Sequence, residues 1–208
     1  MHYIRSQRYD TPQFTEKMMG PNPIKLTEEL MLENRTPKGA VVCDLGSGQG
    51  ITSAFLAQEY GFQVYACDLW SDPAENQAFF DQLGLPHEQL IPVKADALNL
   101  PFEPAFFDAV VSVDSYNYFG RDPNFLGQKL LPYVKRTAAI IATGSEVKKG
   151  LIQDTFTPVV IDKLKTYGIE TIEVVYSGDG VENVRDAVLA MRGKKPDMIL
   201  CTGGMSVD

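Results

Sequence analysis

The stretch that most constrains this chain is Val41-Val42-Cys43-Asp44-Leu45-Gly46-Ser47-Gly48-Gln49-Gly50. A short apolar run ends in an acid, and glycine then stands at every second position of the loop that follows. Ile51, Ala54 and Phe55 come next at helical spacing, so the segment reads as strand, glycine turn, helix. Glycine lets such a turn adopt backbone angles closed to other residues and lets a ligand approach the chain. The turn opens onto a helix start, where unpaired N–H groups and the helix dipole favour an anion.

Asp44 alters that reading. A loop built for phosphate would rarely hold a carboxylate in its mouth. An acid beside glycines suits a ligand with both an amino group and a carboxylate, that is, an amino acid. Asp44 to Gly50 resembles the first motif of class I methyltransferases, which bind S-adenosyl-L-methionine (SAM) there. A second strand, Phe62 to Leu69, ends in Asp68, and in doubly wound sheets such strand ends line the ligand crevice. Asp68 lies 18 positions past Gly50, close to the spacing at which an acid accepts from ribose hydroxyls. Asp96-Ala97-Leu98 resembles the family's third motif, whose acid accepts from the adenine amine. The resemblance thus implies cofactor contacts at Asp44, Gly46, Ser47, Gly48, Gly50, Asp68, Leu69, Asp96 and Ala97.

The flanking segments extend this resemblance. Phe14 to Leu30 resembles the N-terminal lid of one bacterial group of SAM methyltransferases, which implies that Met19, Gly20 and Asn22 cover the cofactor or shape the acceptor site. Covering a sheet edge is the simpler role for the same segment. Thr27 is a plausible N-cap for a short helix over 28–33. Leu90 to Ala97 reads as a third strand, and Pro92 places it at an edge. Phe106 to Ser115 is a fourth strand, and its run of apolar residues fits a central parallel position. It resembles the fourth motif, whose end faces the methyl group. Asp114 is the candidate base there, while Tyr116, Asn117 and Tyr118 either line an acceptor pocket or pack against the lid. Pro123 to Val134 reads as a helix with Leu126, Leu130 and Tyr133 on one face.

From Lys135 on, the methyltransferase pattern stops. Ala138 to Thr143 is a buried strand, and Gly144 to Phe156 resembles the opening of molybdopterin-binding domains of molybdenum-cofactor biosynthesis. A helix ended by Gly168, a strand from Ile169 to Tyr176, a helix opened by an Asp179/Glu182 capping box, and a strand from Met198 to Cys201 follow. In that family a Thr202-Gly203-Gly204 turn cradles the pterin phosphate, with Asp154 and Ser206 nearby. Here the helix expected after that turn is missing, which removes much of the turn's attraction for an anion.

The expected fold is therefore α/β, a three-layer doubly wound, Rossmann-like, mostly parallel arrangement of about seven strands. Residues 1–135 form its methyltransferase-like half and residues 136–208 its molybdopterin-binding-like half. The strand at 138–143 either extends the first sheet or keeps partners of its own in a second. The expected function is SAM-dependent methylation of a small molecule, with cofactor binding outlasting turnover because the later strands are replaced. The alternatives are a molybdopterin-binding module and a non-catalytic hybrid of the two doubly wound parents.

Composition narrows the partners. A net charge of −8 argues against nucleic acid or an anionic membrane, since phosphate contacts need clustered Lys and Arg. The three cysteines lie in apolar runs without metal-ligand spacing. Buried free thiols, a cytoplasmic location and no metal are the expectations.

Overall fold

The computed structural model describes residues 4–202 of the 208-residue chain. Two compact units divide the chain, residues 1–134 and 135–208. Among the described residues seven strands, all parallel, lie in two sheets, one of four strands and one of three.

In the first unit a 3-10 turn, Ser6–Tyr9, precedes helices α1 (Pro12–Thr15) and α2 (Pro23–Leu30). Asn22 caps α2, its Oδ1 accepting from the N–H groups of Ile24 and Lys25 at 3.1 Å. Pro23 occupies the first turn, where a missing N–H costs nothing. Thr27 is therefore no cap. It lies buried inside the helix and donates to the Pro23 carbonyl at 2.7 Å.

Strands β1 (Val41–Leu45), β2 (Gln63–Asp68), β3 (Leu90–Lys94) and β4 (Ala109–Val111) follow, in sheet order β3-β2-β1-β4. Pro92 sits on the edge strand β3, as its missing donor requires. The fourth strand departs from expectation, being only three residues long and at the other edge of its sheet. Helix α3 (Ile51–Tyr60) runs from Gly50 to Gly61, both in the left-handed region, and helix α4 (Pro73–Gln82) starts from an Asp72 cap. Ile51 to Ala57 are all buried, as befits a helix apolar on every side. Its outer face is covered by the N-terminal segment. Tyr9 packs edge-on against Phe55 and Phe14, and Phe14 against Phe79, with ring centroids 4.9–5.5 Å apart. Tyr65, Phe102, Phe106 and Phe107 form a second aromatic group.

Helix α5 (Tyr116–Phe119) is one short turn. The expected 123–134 helix is instead a π-helical turn, Phe125–Leu130, followed by a 3-10 turn, Leu131–Tyr133. The wider π-helical turn, with i→i+5 bonding, accompanies burial of Phe125 and Leu130, five positions apart, while Leu126 is left exposed.

In the second unit β5 (Arg136–Thr143) lies between β6 (Ile169–Ser177) and β7 (Met198–Thr202). Both of its edges are thus taken by strands of its own unit. Alternation along β5 builds two small cores. Ala138 and Ile140 pack with Leu164 of α7 (Phe156–Thr166), and Ala139 and Ile141 with Met191 of α8 (Val181–Gly193). A one-turn helix, α6 (Ser145–Lys148), follows β5. The expected capping box does not form. Gly180, at φ 100°, is the N-cap of α8, and the Asp179 carboxylate accepts instead from Ser145 N–H at 3.0 Å. Cys43 and Cys67 are buried free thiols, whereas Cys201 is exposed, because β7 is an edge strand. Among the described residues no helix is long and apolar enough to cross a membrane.

Candidate functional site

The C-terminal ends of β1, β2 and β4 and the loop after β3 surround a cavity of about 650 Å³, within the size range of small-molecule sites. The glycine turn forms its floor. Gly46 and Ser47 both donate to the Cys67 carbonyl, at 2.8 and 3.2 Å, which ties the turn to the end of β2. Gly48 donates to Asp68 Oδ2 at 2.9 Å, and its carbonyl accepts from Asn76 Nδ2. Asp68 Oδ1 accepts from the N–H groups of Trp70 and Ser71, both at 2.8 Å. One carboxylate thus holds the turn after β1 and the turn after β2 in a fixed relation.

The glycines are required by space as well as by φ. A Cβ on Gly46 would lie 2.5 Å from the Ser115 side chain, and one on Gly20 would lie 2.8 Å from Asp114 Oδ2. Both glycines have φ above +70°. Met19 reaches the turn from above, its methyl carbon 3.5 Å from where a Gly48 Cβ would stand.

Gly46, Ser47, Gly48, Asp68 and Leu69 line the cavity, as do Asp96 and Ala97 from the loop after β3. Asp96 Oδ1 accepts from Leu98 N–H at 2.9 Å, which fixes that loop. Met19, Gly20 and Asp114 also face the cavity. Asp114 has φ 56°, rare for a residue with a side chain. It stands three positions past the end of β4, before Ser115 turns inward to donate to the Leu45 carbonyl.

Four of the expected site residues lie elsewhere. Asp44 is buried behind the turn, where its Oδ2 accepts from the hydroxyls of Thr52 and Ser53 at 2.5 and 2.6 Å. Burial pushes its carboxyl up to about 6, against the pull of those two hydroxyls and with a further push from Asp68. Asp44 therefore anchors α3 to β1, and the amino-acid argument built on an acid in the mouth of the loop does not apply to it. Gly50 is the N-cap of α3, and its missing side chain makes room for the Phe80 ring. Asn22 spends its carbonyl oxygen on capping α2. Tyr116 packs against Phe119 and Phe125, at centroid distances of 5.7 and 5.8 Å. Its neighbours Tyr118 and Phe119 face the cavity instead.

Trp70, Ser115, Phe119 and Asp122 line the cavity and were not singled out from the sequence. Trp70 is the chain's one tryptophan and stands two positions past the acid at the tip of β2, a signal that could have marked it. The proposed pterin-turn residues Gly203, Gly204 and Ser206 lie outside the described residues. Asp154 Oδ1 accepts from Phe156 and Thr157 N–H at 3.0 Å, at the start of α7.

Known families match the chain in two separate parts. Residues 43–141 match a family described as a methyltransferase domain, and residues 139–208 match one described as a probable molybdopterin binding domain. A CinA-like protein of Mycobacterium marinum is 31% identical over 72 residues, which is 35% of this chain and 17% of that protein. The chain therefore spans about a sixth of the length of the curated relatives it matches. Among solved structures, a SAM-dependent methyltransferase from Aquifex aeolicus is similar over 64% of this chain and 68% of its own, at 18% identity and TM-score 0.46. A phosphoethanolamine N-methyltransferase from Haemonchus contortus is similar over 64% and 30%, at 23% identity and TM-score 0.47. The two family matches meet inside β5, at residues 139–141, and the chain is a two-part hybrid of methyltransferase-domain and molybdopterin-binding-domain sequence.

Proposed function

We propose that the first unit binds SAM in the cavity at the glycine turn and methylates a small molecule. The observation that carries this reading is the Asp68 carboxylate, which joins the glycine turn to the loop after β2 at the floor of a cavity that also receives Asp96. The cavity also suits a polar ligand. Ser47 is buried, and its hydroxyl has no protein partner among the described residues while it faces that space. A buried hydroxyl left unpaired carries a desolvation cost that a ligand contact would relieve.

When bound, SAM supplies a methyl group on a cationic sulfur, which a lone pair displaces in line. The chain's task is then orientation, worth roughly 7–11 kcal/mol in well-aligned reactions. Gly46 and Gly48 let the ligand lie against the backbone. Asp68 and Asp96 stand on neighbouring strand ends as acceptors for the nucleoside. Met19 and Gly20 close the cavity from the N-terminal segment. Asp114 faces the reacting end and can take a proton from an acceptor that must lose one.

Residues 1–135 and 136–208 act as separate domains in this reading. Calorimetry with SAM and with S-adenosylhomocysteine (SAH) tests it directly. Micromolar to millimolar binding is expected, and Asp68→Ala combined with Gly48→Val should abolish it. Absence of any heat with the unmutated protein would refute the reading. The match over residues 139–208 favours a second reading, in which that half retains molybdopterin. Retention unchanged by Gly204→Val would count against it.

A further inference from the structure

The cavity has more lining than a nucleoside with an amino-acid tail accounts for. Beyond the glycine turn, Asp68, Leu69, Asp96 and Ala97, it is bounded by Trp70, Asp114, Tyr118, Phe119 and Asp122. Trp70 and Tyr118 meet edge to face with centroids 5.4 Å apart, yet both remain more than three-fifths exposed. Large aromatic faces left open beside a cavity are available to a ligand. The charges there are one-sided. Among the described residues, Asp68, Asp96, Asp114 and Asp122 face Lys17 as the one basic side chain in the lining. Lys17 has partners of its own, with its ammonium 4.9 Å from the centre of the Phe79 ring and 3.4 Å from Gln49 Oε1.

Two of the acids are committed to the backbone turns already described. Asp114 and Asp122 complete the acidic lining. Asp122 is held by accepting from Asn124 N–H at 2.9 Å. Asp114 is held by its left-handed backbone and by lying across Gly20, where any side chain would collide with its carboxylate. The unpaired, buried Ser47 hydroxyl is independent evidence that this cavity takes a polar ligand.

We infer that the methyl acceptor is a cationic amine, held by the Asp114, Asp122, Trp70 and Tyr118 side chains of the cavity lining. This rests on the SAM reading above. An anionic acceptor would be repelled by two carboxylates. An ammonium group is attracted both by the acids and by aromatic faces. In the reaction the ammonium gives a proton to the Asp114 carboxylate. The freed nitrogen lone pair then forms the N–C bond as the S–C bond breaks, its electrons passing to sulfur. The product is a methylated ammonium ion plus a neutral thioether, so the positive charge moves from sulfur to nitrogen.

The full chain saturated with SAH provides the test, read through the fluorescence of Trp70. Tetramethylammonium, which cannot be methylated, is titrated against the uncharged 2,2-dimethylpropan-1-ol. The cation should bind about tenfold more tightly, the scale of one well-placed cation–aromatic or charge contact. Asp114→Asn with Asp122→Asn should erase that preference while leaving SAH affinity in place, which also shows the variant to be folded. Equal binding of cation and alcohol, or a preference that survives the double substitution, overturns the inference. So does a double variant that loses affinity for SAM but not for SAH while keeping its preference for the cation, since the acids would then serve the sulfonium alone. Failure of SAH itself to bind overturns the SAM reading as well, which separates the two.

Discussion

The two units use the same local grammar and arrive at different ends. In each, a buried parallel strand runs into a glycine-containing turn and then a helix, and a carboxylate from the next strand's end accepts from that turn. In the first unit Asp68 accepts from Gly48 N–H, and in the second Asp179 accepts from Ser145 N–H. The turn in the first unit leads into α3, ten residues long and buried over most of its length. The one in the second leads into a four-residue helical turn, α6. In the first unit the N-terminal segment, the loop after β3 and the loop after β4 converge over the turn and enclose a cavity. A turn that can meet a ligand becomes a site only where distant segments of the chain wall it in.

The cores differ in the same sense. Phe55, Phe62, Phe80, Phe107 and Phe125 are all fully buried in the first unit, whereas the largest fully buried side chains of the second are Ile140 and Ile141. The sharpest contrast should therefore come from core truncations. Phe80→Ala is expected to cost about 3–5 kcal/mol, and Leu164→Ala, at the margin of its small cluster, nearer 2 kcal/mol. Hydrogen exchange resolved by segment would check both, and a larger loss for Leu164→Ala would reverse the comparison.

A buried carboxyl gives the first unit a pH effect of its own. Asp44 is raised to about 6 by burial. The folded protein therefore keeps a proton that the unfolded chain releases at ordinary aspartate pH. The stabilisation is full below about pH 4 and is lost as pH rises to about 6, on the order of 3 kcal/mol. Asp44→Asn should flatten the denaturation midpoint across that window. An unchanged slope in the variant would show that other groups cause it.

Asp68→Asn should weaken SAM binding by roughly tenfold or more. Three N–H groups converge on this side chain, and an amide nitrogen in place of one oxygen leaves a donor facing a donor, a loss of about 1–3 kcal/mol. Titration calorimetry reads it, and full affinity in the variant would show that the turn does not depend on this link. The smallest effect belongs to the second unit's surface. Asp162→Ala removes an exposed pair with Lys165 at 3.7 Å and should shift stability by less than about 0.5 kcal/mol. A larger shift in thermal unfolding would mean that α7 depends on its surface charges.

The parallel character of the strands was written into local pattern. Glycines after an apolar run, acids at strand tips and Pro92 in an edge strand each act through the backbone of a few neighbouring residues, so the chain alone announces them. The aspartates at positions 68 and 96 were legible for the same reason, since strand ends converge wherever a parallel sheet forms. Other outcomes depended on what packs against each residue. Asp44 has the same local context as Asp68 but lies beneath α3, where Thr52 and Ser53 claim it. Asn22 was drawn into capping by the proline beside it. Phe125 took the core place expected of Leu126 once the backbone there widened into a π-helical turn. Tyr118 rather than Tyr116 reached the cavity because the short turn of α5 directs one ring inward against Phe125 and leaves the other free. Sequence determined which residues could meet a ligand. Tertiary packing decided which of them face the cavity, because burial and competing hydrogen bonds are set by segments far away along the chain.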